Sequence, residues 1–471
     1  MLPEVYFGQY FPYSLLQLLM EPPYLYDLKQ QGPRCGRREV AFGFTKFESG
    51  NDTHVIMQRY QTFAASPSGT TQQLLKQRFL RAKNNNRIDL GAVYSQDAAI
   101  AKNYTTTVEF RELIIDVDLD KEYKDFRTCE CTKDEKAAPF VCSQCWPYLT
   151  LAMHTVDLIL CKHFGFYDTI WLFSGRRGVH CWVLDLQAGT LSDQSRRYVM
   201  EFFRNFTSPE SRPDAAFLSL PHLEELYTQI LEPRFREMIT KQQLKLSDKK
   251  TLGVIANNLA GLSDPTLVNY LLQGLETCDI SKQADLWKQL VSHIKRNGRE
   301  RSLINIIFYI LFPRLDYNVM PSSIHLLRCP LSIHGDTLGV VTPLDLDEVD
   351  GIDPQFLPNL NMDHTFARFD KCLQTFQNGL LCRLPLASYL VCPLCTKDST
   401  QTIDISLSDI FYNDKGALEL HHNQKHNRAL PSLEGCTLRD WVNRVTLNSD
   451  GSVDRKKKYE FYCKLEQKIS R

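Results

Sequence analysis

The stretch Trp171–Asp185, WLFSGRRGVHCWVLD, constrains the fold first. Two apolar, aromatic-rich arms flank Ser174-Gly175-Arg176-Arg177-Gly178. Arms of this composition on either side of a short glycine-bounded link predict two antiparallel strands, DTIWLFSG and GVHCWVLDL, joined as a hairpin. The turn has chemistry as well as geometry. Glycines let the backbone approach a ligand closely, and guanidinium forks match phosphate oxygens in shape and charge. His180, two residues past Gly178, can donate to a phosphate or serve as a proton donor. A bare Gly-Arg-Arg-Gly is more often a solvated turn. Here Ser174, Arg176, Arg177 and His180 place four phosphate-compatible groups within seven residues.

Upstream, TTVEFRELIIDVDLD reads as one extended strand, buried on both faces where its apolar positions become continuous at Leu113–Ile115. It ends in Asp116-Val117-Asp118, whose period-two geometry puts both carboxylates on one face. Carboxylates held that close repel unless a cation lies between them, which is how Mg²⁺ or Mn²⁺ is held beside substrate phosphates. Asp-x-Asp also occurs at solvated strand ends, and Asp120, one step further on the same face, is read as the solvated member. Pro313-Arg314-Leu315-Asp316 starts a further strand-like segment, PRLDYNV, with an isolated carboxylate that means nothing alone. LGVVTPLDL is strand-like too.

The chain has 15 cysteines. An odd number, in a long chain without a secretory pattern, argues against a disulfide framework. Cys129-x-Cys131 with Cys142-x-x-Cys145 supplies four thiolates at two close spacings, the donor set of a structural zinc. Cys392-x-x-Cys395 followed by His421, His422 and His426 is a weaker second Cys/His set. Its 25 intervening residues, about twice the usual finger spacing, suit a polar loop equally well.

At 471 residues two or three domains are expected. Acidic and basic residues balance at 55 each, so any nucleic-acid footprint must be local. No run of 18 apolar residues suggests a membrane span. Segments such as SRRYVMEFFRNF and ADLWKQLVSHIKR predict helices from Ser192 to about Ile310. The expected division is residues 1–190 with the hairpin, the carboxylate strand and the four-cysteine motif; a helical insertion over 191–300; a return to the first domain over 301–350; and a C-terminal extension over 351–471. That extension ends in a basic tail.

SGRRGVHCWV, the DVD strand and PRLDYNV, in this order around a four-cysteine cluster, resemble the catalytic small subunit of eukaryotic DNA primase. YFGQYFPY, GRREVAFGFT, QRYQTF, RIDLGAVYS and HLLRCPLSIH match as well, so the resemblance covers roughly Tyr6 to Asp350. It implies a mixed α/β catalytic domain with a sheet related to RNA-recognition folds, an inserted helical domain and a zinc-binding motif. It implies synthesis of short RNA primers from ribonucleoside triphosphates on single-stranded DNA. By this likeness Asp116, Asp118 and Asp316 would bind two divalent metals, Mg²⁺ or Mn²⁺. Ser174, Gly175, Arg176, Arg177, Gly178, Val179 and His180 would hold the triphosphate, with His325, Leu326, Leu327, Arg328 and His334 closing the pocket. Glu39 would join the three aspartates as a catalytic carboxylate, and with Arg59, Arg87 and Asp89 it would stand near the nucleotide. Arg87 and Arg328 occupy positions where the family often has lysine. The Cys/His segment after Leu390 is not a usual family feature. A large primase subunit and a replicative DNA polymerase are the implied partners, and the nucleus the implied location. A primase-polymerase or repair polymerase of the same superfamily would share the carboxylates but favour deoxynucleotides. A non-catalytic zinc protein that binds nucleic acid would be expected to lack one or more of the three aspartates.

Overall fold

The computed structural model describes residues 1–14, 16, 37–47, 53–61, 71–81, 85–99, 106–119, 123, 125–129, 131, 141–207, 220–361 and 369–376, together with 390–391, 411–412, 418, 424, 454 and 457. The fold is mixed α/β, as expected, and its centre is two antiparallel sheets. The first has β1 (Arg38–Phe47), β2 (Thr53–Gln61), β3 (Asn85–Tyr94) and β4 (Val108–Phe110) in the order β2-β1-β3-β4. The second holds β5 (Leu113–Asp118), β6 (Thr169–Phe173) and β7 (Gly178–Val183). The short strand β8 (Leu327–Arg328) returns to pair with β3, and β9 (Thr342–Leu344) pairs with β6, so the second sheet runs β5-β7-β6-β9. The predicted hairpin is β6–β7, with Phe173 opposite Val179.

The strand predicted over TTVEFRELIIDVDLD is two strands in different sheets. β4 belongs to the first and β5 to the second, and Arg111 and Glu112 form the crossing. Both side chains are almost wholly buried. Glu112 takes a two-pronged bond from Arg38 of β1 (3.1 and 2.8 Å) and a third from Arg111 (3.0 Å). Arg196 donates to the backbone carbonyls of Arg111, Glu112 and Gly189. The break follows from satisfying these charges: the peptide carbonyls that a continuous strand would spend on a ladder are spent on Arg196. Burial alone would raise the Glu112 carboxyl, but Arg38 and Arg111 outweigh it and hold it below the ordinary carboxylate range.

The second sheet is buried on both faces. Leu113, Ile115 and Val117 pack in one apolar cluster with Trp171, Val179 and the helices, while Ile114, Leu172 and Trp182 belong to another. The first sheet packs its Val40, Phe42, Ile88 and Leu90 in that second cluster with Phe7 and Phe79. Its alternate residues Glu39, Arg87 and Asp89 take the other face. Helices fill the predicted helical stretch: α1 (Asp193–Thr207), α2 (Lys249–Leu259), α3 (Pro265–Thr277), α4 (Gln283–Arg296) and α5 (Glu300–Leu311), with a helical run from Pro221 to Thr240 that has π geometry at Leu226–Leu231. Their apolar faces share one continuous core with the second sheet.

PRLDYNV is not a strand. Leu315 and Val319 are buried, which explains the strand-like pattern, but the backbone turns. The Arg314 guanidinium caps the end of α5 by donating to the carbonyls of Tyr309 (2.8 Å), Ile310 and Phe312 (3.3 Å each). It lies 4.4 Å from the Phe126 ring centre. Of LGVVTPLDL, the residues Thr342–Leu344 form a strand.

Removing the carboxylate at the sheet crossing leaves buried guanidiniums without their counter-charge. Glu112→Ala is expected to cost roughly 3–5 kcal/mol, as when one partner of a buried pair is deleted. Urea denaturation measures this, and a loss below about 1 kcal/mol, the worth of a surface pair, would contradict the role given to Glu112.

Candidate active site

The β5–β7 register builds the centre of the site. It sets Asp116 opposite His180 and Asp118 opposite Gly178. Alternation sends Val117 and Val179 to the opposite face, into the core. Val179, expected among the nucleotide contacts, therefore has only its backbone to offer. Only glycine fits at 178 without a shift, because a Cβ there would fall 2.6 Å from the Val117 backbone oxygen and 1.9 Å from Asp118 Oδ1. Asp316 arrives from the loop after α5: its N–H donates to the Asp116 carbonyl (2.8 Å), and its Oδ1 accepts from the Asn318 backbone (2.8 Å). The loop thus delivers the third carboxylate although no strand does.

Burial, then Asp118 and Asp316, push the Asp116 carboxyl well above the usual range, against the pull of Arg328 and Arg177. Asp116 Oδ1 is buried and accepts no hydrogen bond; the nearest His180 nitrogen stands 3.6 Å away. A buried, unbonded carboxylate oxygen with two further carboxylates as electrostatic neighbours is a donor set that fits hard divalent cations.

The turn is held from below and behind. Gly175 has φ +80°, and Cβ atoms on Gly175 or Gly339 would each strike the other's backbone oxygen, so the two turns lie backbone to backbone. Ser174 Oγ accepts from Gly178 N–H (3.1 Å), Thr337 donates to the Gly175 carbonyl (2.6 Å), and Arg328 donates to the Ser174 carbonyl (2.9 Å). Arg177 stands 3.7 Å from Asp118 and Arg176 3.7 Å from Asp336. Burial, then Arg328 and Arg87, pull His180 down to about 3, so its imidazole is neutral. It can serve through an N–H as a hydrogen-bond donor rather than as a charged acid. His334 is lowered likewise by burial, then Arg328, Arg176 and Arg87. The pocket is rich in fixed positive charge, which suits a polyanion.

The first sheet contributes the opposite wall. Arg87 closes its fork on Asp89 (2.6 and 2.5 Å), and Asp89 pairs with Arg328 in the β3–β8 register. Arg59 forks onto Glu39 (2.8 and 3.1 Å), which also accepts from the Tyr94 hydroxyl (3.1 Å). Glu39, expected among the catalytic carboxylates, is here a buried counter-ion to Arg59. His325 is exposed at the rim, Leu326 half-buried and Leu327 buried in the core.

Cys129, Cys131, Cys142 and Cys145 converge as their spacing predicts, with sulfurs all within 4.8 Å of one another. The sulfur separations of 3.4 Å (Cys129–Cys131), 3.5 Å (Cys131–Cys145) and 3.6 Å (Cys142–Cys145) approach the roughly 3.8 Å edge of a tetrahedron with ~2.3 Å zinc–sulfur bonds. This cluster could hold zinc. Cys392, Cys395, His421, His422 and His426 lie outside the described residues.

The sequence model of the DNA primase small subunit family matches residues 115–346. The DNA primase small subunit of Saccharomyces cerevisiae is 28% identical over 360 residues, 73% of this chain and 80% of that protein. That of Drosophila melanogaster is 30% identical over 311 residues, 61% of this chain and 68% of its own length. The chain belongs to the DNA primase small subunit family. Membership implies an enzyme of the nucleotidyltransferase type. The family match spans Asp116, Asp118, the four-cysteine cluster, the arginine turn, Asp316 and His334, whereas Glu39, Arg59, Arg87 and Asp89 precede it. The primase small subunit of Caenorhabditis elegans is 28% identical over 369 residues, 73% of this chain and 82% of that protein.

Sequence reasoning missed several supports of this primase-family site: Arg38, Arg111, Glu112 and Arg196 at the sheet crossing, and Thr337 and Gly339 behind the turn. FRELII carried a signal, since an adjacent Arg-Glu inside an apolar run must be paired if buried. Two outcomes are expected. Gly178→Ala should displace Asp118 and abolish nucleotide incorporation while circular dichroism stays unchanged; retained incorporation would contradict the close approach. Cys142→Ser should remove one equivalent of zinc by elemental analysis and lower the melting temperature, and an unaltered zinc content would leave the four thiols unliganded.

Proposed function

We propose that this chain synthesises short RNA primers on single-stranded DNA, joining ribonucleoside triphosphates by two-metal phosphoryl transfer. The observation that carries this reading is the orphaned oxygen of Asp116, with Asp118 and Asp316 as its electrostatic neighbours and the arginine turn alongside. Asp116, Asp118 and Asp316 would hold the cations. Bound there, Mg²⁺ or Mn²⁺ would activate the attacking 3′-hydroxyl and neutralise charge on the leaving pyrophosphate.

The chain's own groups do the rest. Arg176, Arg177 and Arg328 grip the triphosphate oxygens, and the strand and turn geometry holds them in place before substrate arrives. Phosphoryl transfer depends on such positioning and charge neutralisation more than on covalent catalysis. Neutral His180 donates a hydrogen bond to a phosphate oxygen without a charge of its own to desolvate. Family likeness adds a large primase subunit and a replicative DNA polymerase as partners, and the nucleus as the place of action. The test is incubation with single-stranded template, labelled ribonucleotides and Mg²⁺ or Mn²⁺ without any primer. Oligoribonucleotides are the expected product; extension of supplied primers with deoxynucleotides alone would favour a repair-type polymerase.

Asp116→Asn and Asp316→Asn should each reduce incorporation to background with the fold intact by circular dichroism. Arg176→Lys and Arg177→Lys keep the charge but lose the fork, so the KM for nucleotide should rise about tenfold or more, as when a charge-assisted hydrogen bond is lost. Wild-type kinetics in both lysine variants would return the turn to a solvated hairpin.

A further inference from the structure

The segment between Asp316 and Arg328 carries a proposed metal ligand at one end and a proposed triphosphate ligand at the other. Its middle is neither strand nor helix, so the backbone has no ladder to fix the distance between those ends. Three side chains from outside the segment fix it instead. Asp193, in the first turn of α1, accepts the Ser323 N–H through Oδ1 (3.1 Å). Arg59 donates to the Ile324 carbonyl (3.2 Å). Arg111 donates to the His325 carbonyl (3.2 Å). Consecutive backbone groups at 323, 324 and 325 are therefore held by a helix, by the first sheet and by the sheet crossing.

We infer that Asp193 and Arg111 are positioning residues for the nucleotide site, fixing the rim segment 323–325 so that Arg328 reaches the arginine turn in register. This rests on the reading of Arg328 as a triphosphate ligand.

The argument is one of geometry and entropy. Arg328 is only three residues beyond His325, and it pairs with Asp89 on one side and the Ser174 carbonyl on the other. A rim free to shift would let that guanidinium sample positions off the turn, and ordering it again on binding would weaken nucleotide affinity. Arg111 is suited to transmit position because it is almost wholly buried, bonded to Glu112 (3.0 Å) and laid 5.2 Å from the Trp182 ring centre. Trp182 lies on β7, two residues from His180, so the same guanidinium touches the strand that carries the imidazole and the rim that leads to Arg328. Asp193 is a cleaner probe. The α1 backbone is capped by Ser192, whose Oγ accepts from Ser195 N–H (3.1 Å), so Asp193 can be changed without removing that cap.

The experiment compares Asp193→Ala, Asp193→Asn and Arg111→Lys in the full chain. It measures melting temperature, direct binding of a ribonucleoside triphosphate with Mg²⁺ by calorimetry, and kcat and KM for incorporation. Asp193→Ala should weaken nucleotide binding and raise KM about fivefold, the worth of one ordinary hydrogen bond, with melting temperature unchanged. Asp193→Asn keeps an oxygen acceptor and should restore wild-type KM, which a charge or helix-dipole effect would not do. Arg111→Lys should raise KM in the same way; if it does not fold, the Asp193 pair decides alone. Wild-type KM in Asp193→Ala, or a defect equal in the alanine and asparagine variants, overturns the inference. Failure of the wild-type chain itself to bind or incorporate ribonucleotides would overturn the proposed function instead, and the two failures are distinct.

Discussion

Everything around the site hangs on one buried carboxylate. Glu112 lies where the chain passes from one sheet to the other, and Arg38 and Arg111 bond to it while Arg196 secures the adjoining carbonyls. A charge taken out of water is tolerated only when its partners and remaining lone pairs are satisfied together. The satisfied geometry is therefore narrow, and it fixes β1 relative to β5. Because β1 carries Glu39 and β5 carries Asp116 and Asp118, the two walls of the pocket are set against each other by the same ion cluster. Burial and the repulsion of neighbouring guanidiniums pull Arg111 down only to about 10, so it stays charged at physiological pH.

The two walls differ in how their charges are engaged. On the first sheet, Arg87 and Arg59 are each closed in a fork on a carboxylate, so those positive charges are largely spent. In the turn, Arg176 stands 3.7 Å from Asp336, beyond a good hydrogen bond. The guanidinium best placed to take an anionic partner is thus that of Arg176, in the turn beside the carboxylates that would hold cations. A polyphosphate bound there would meet Arg176 without displacing a short bond to Asp336. Preorganised donors of this kind stabilise developing charge because little reorganisation is needed.

Sequence pattern reached the parts of this arrangement that local physics decides. The hairpin was legible because a short glycine-bounded link between apolar arms has few other solutions, and the four-cysteine cluster because thiol spacing survives any backbone detail. The helical stretch was legible from its periodicity. Two strands were misread for one reason: burial periodicity does not say what the backbone hydrogen bonds do. Leu315 and Val319 are buried as strand residues would be, yet they anchor a loop whose geometry is set by Arg314 at the end of α5. Val108 through Asp118 reads as one extended run, yet Arg111 and Glu112 divide it between sheets. In both cases a buried arginine, invisible to hydrophobic patterning, decides the path. Glu39 and Arg59 lie far apart in the pattern of the chain, and only the fold brings them together to neutralise each other.

Arg87 and Arg328 fit this division of labour. Arg87 makes two parallel bonds to Asp89, which a single ammonium could not reproduce. Arg328 spends one nitrogen on the Ser174 carbonyl, while its Nε is buried without a protein partner. A planar fork can thus brace the turn through one nitrogen and still present a second, separately placed nitrogen to a ligand. Burial, then the repulsion of Arg87, lowers Arg328 to about 10, with Asp89, Asp116 and Asp118 pulling the other way. Its charge persists at any physiological pH, but it is held at a cost that a phosphate would relieve. The residue that links both sheets and the rim is in this way also the one with most to gain from an anion in the pocket.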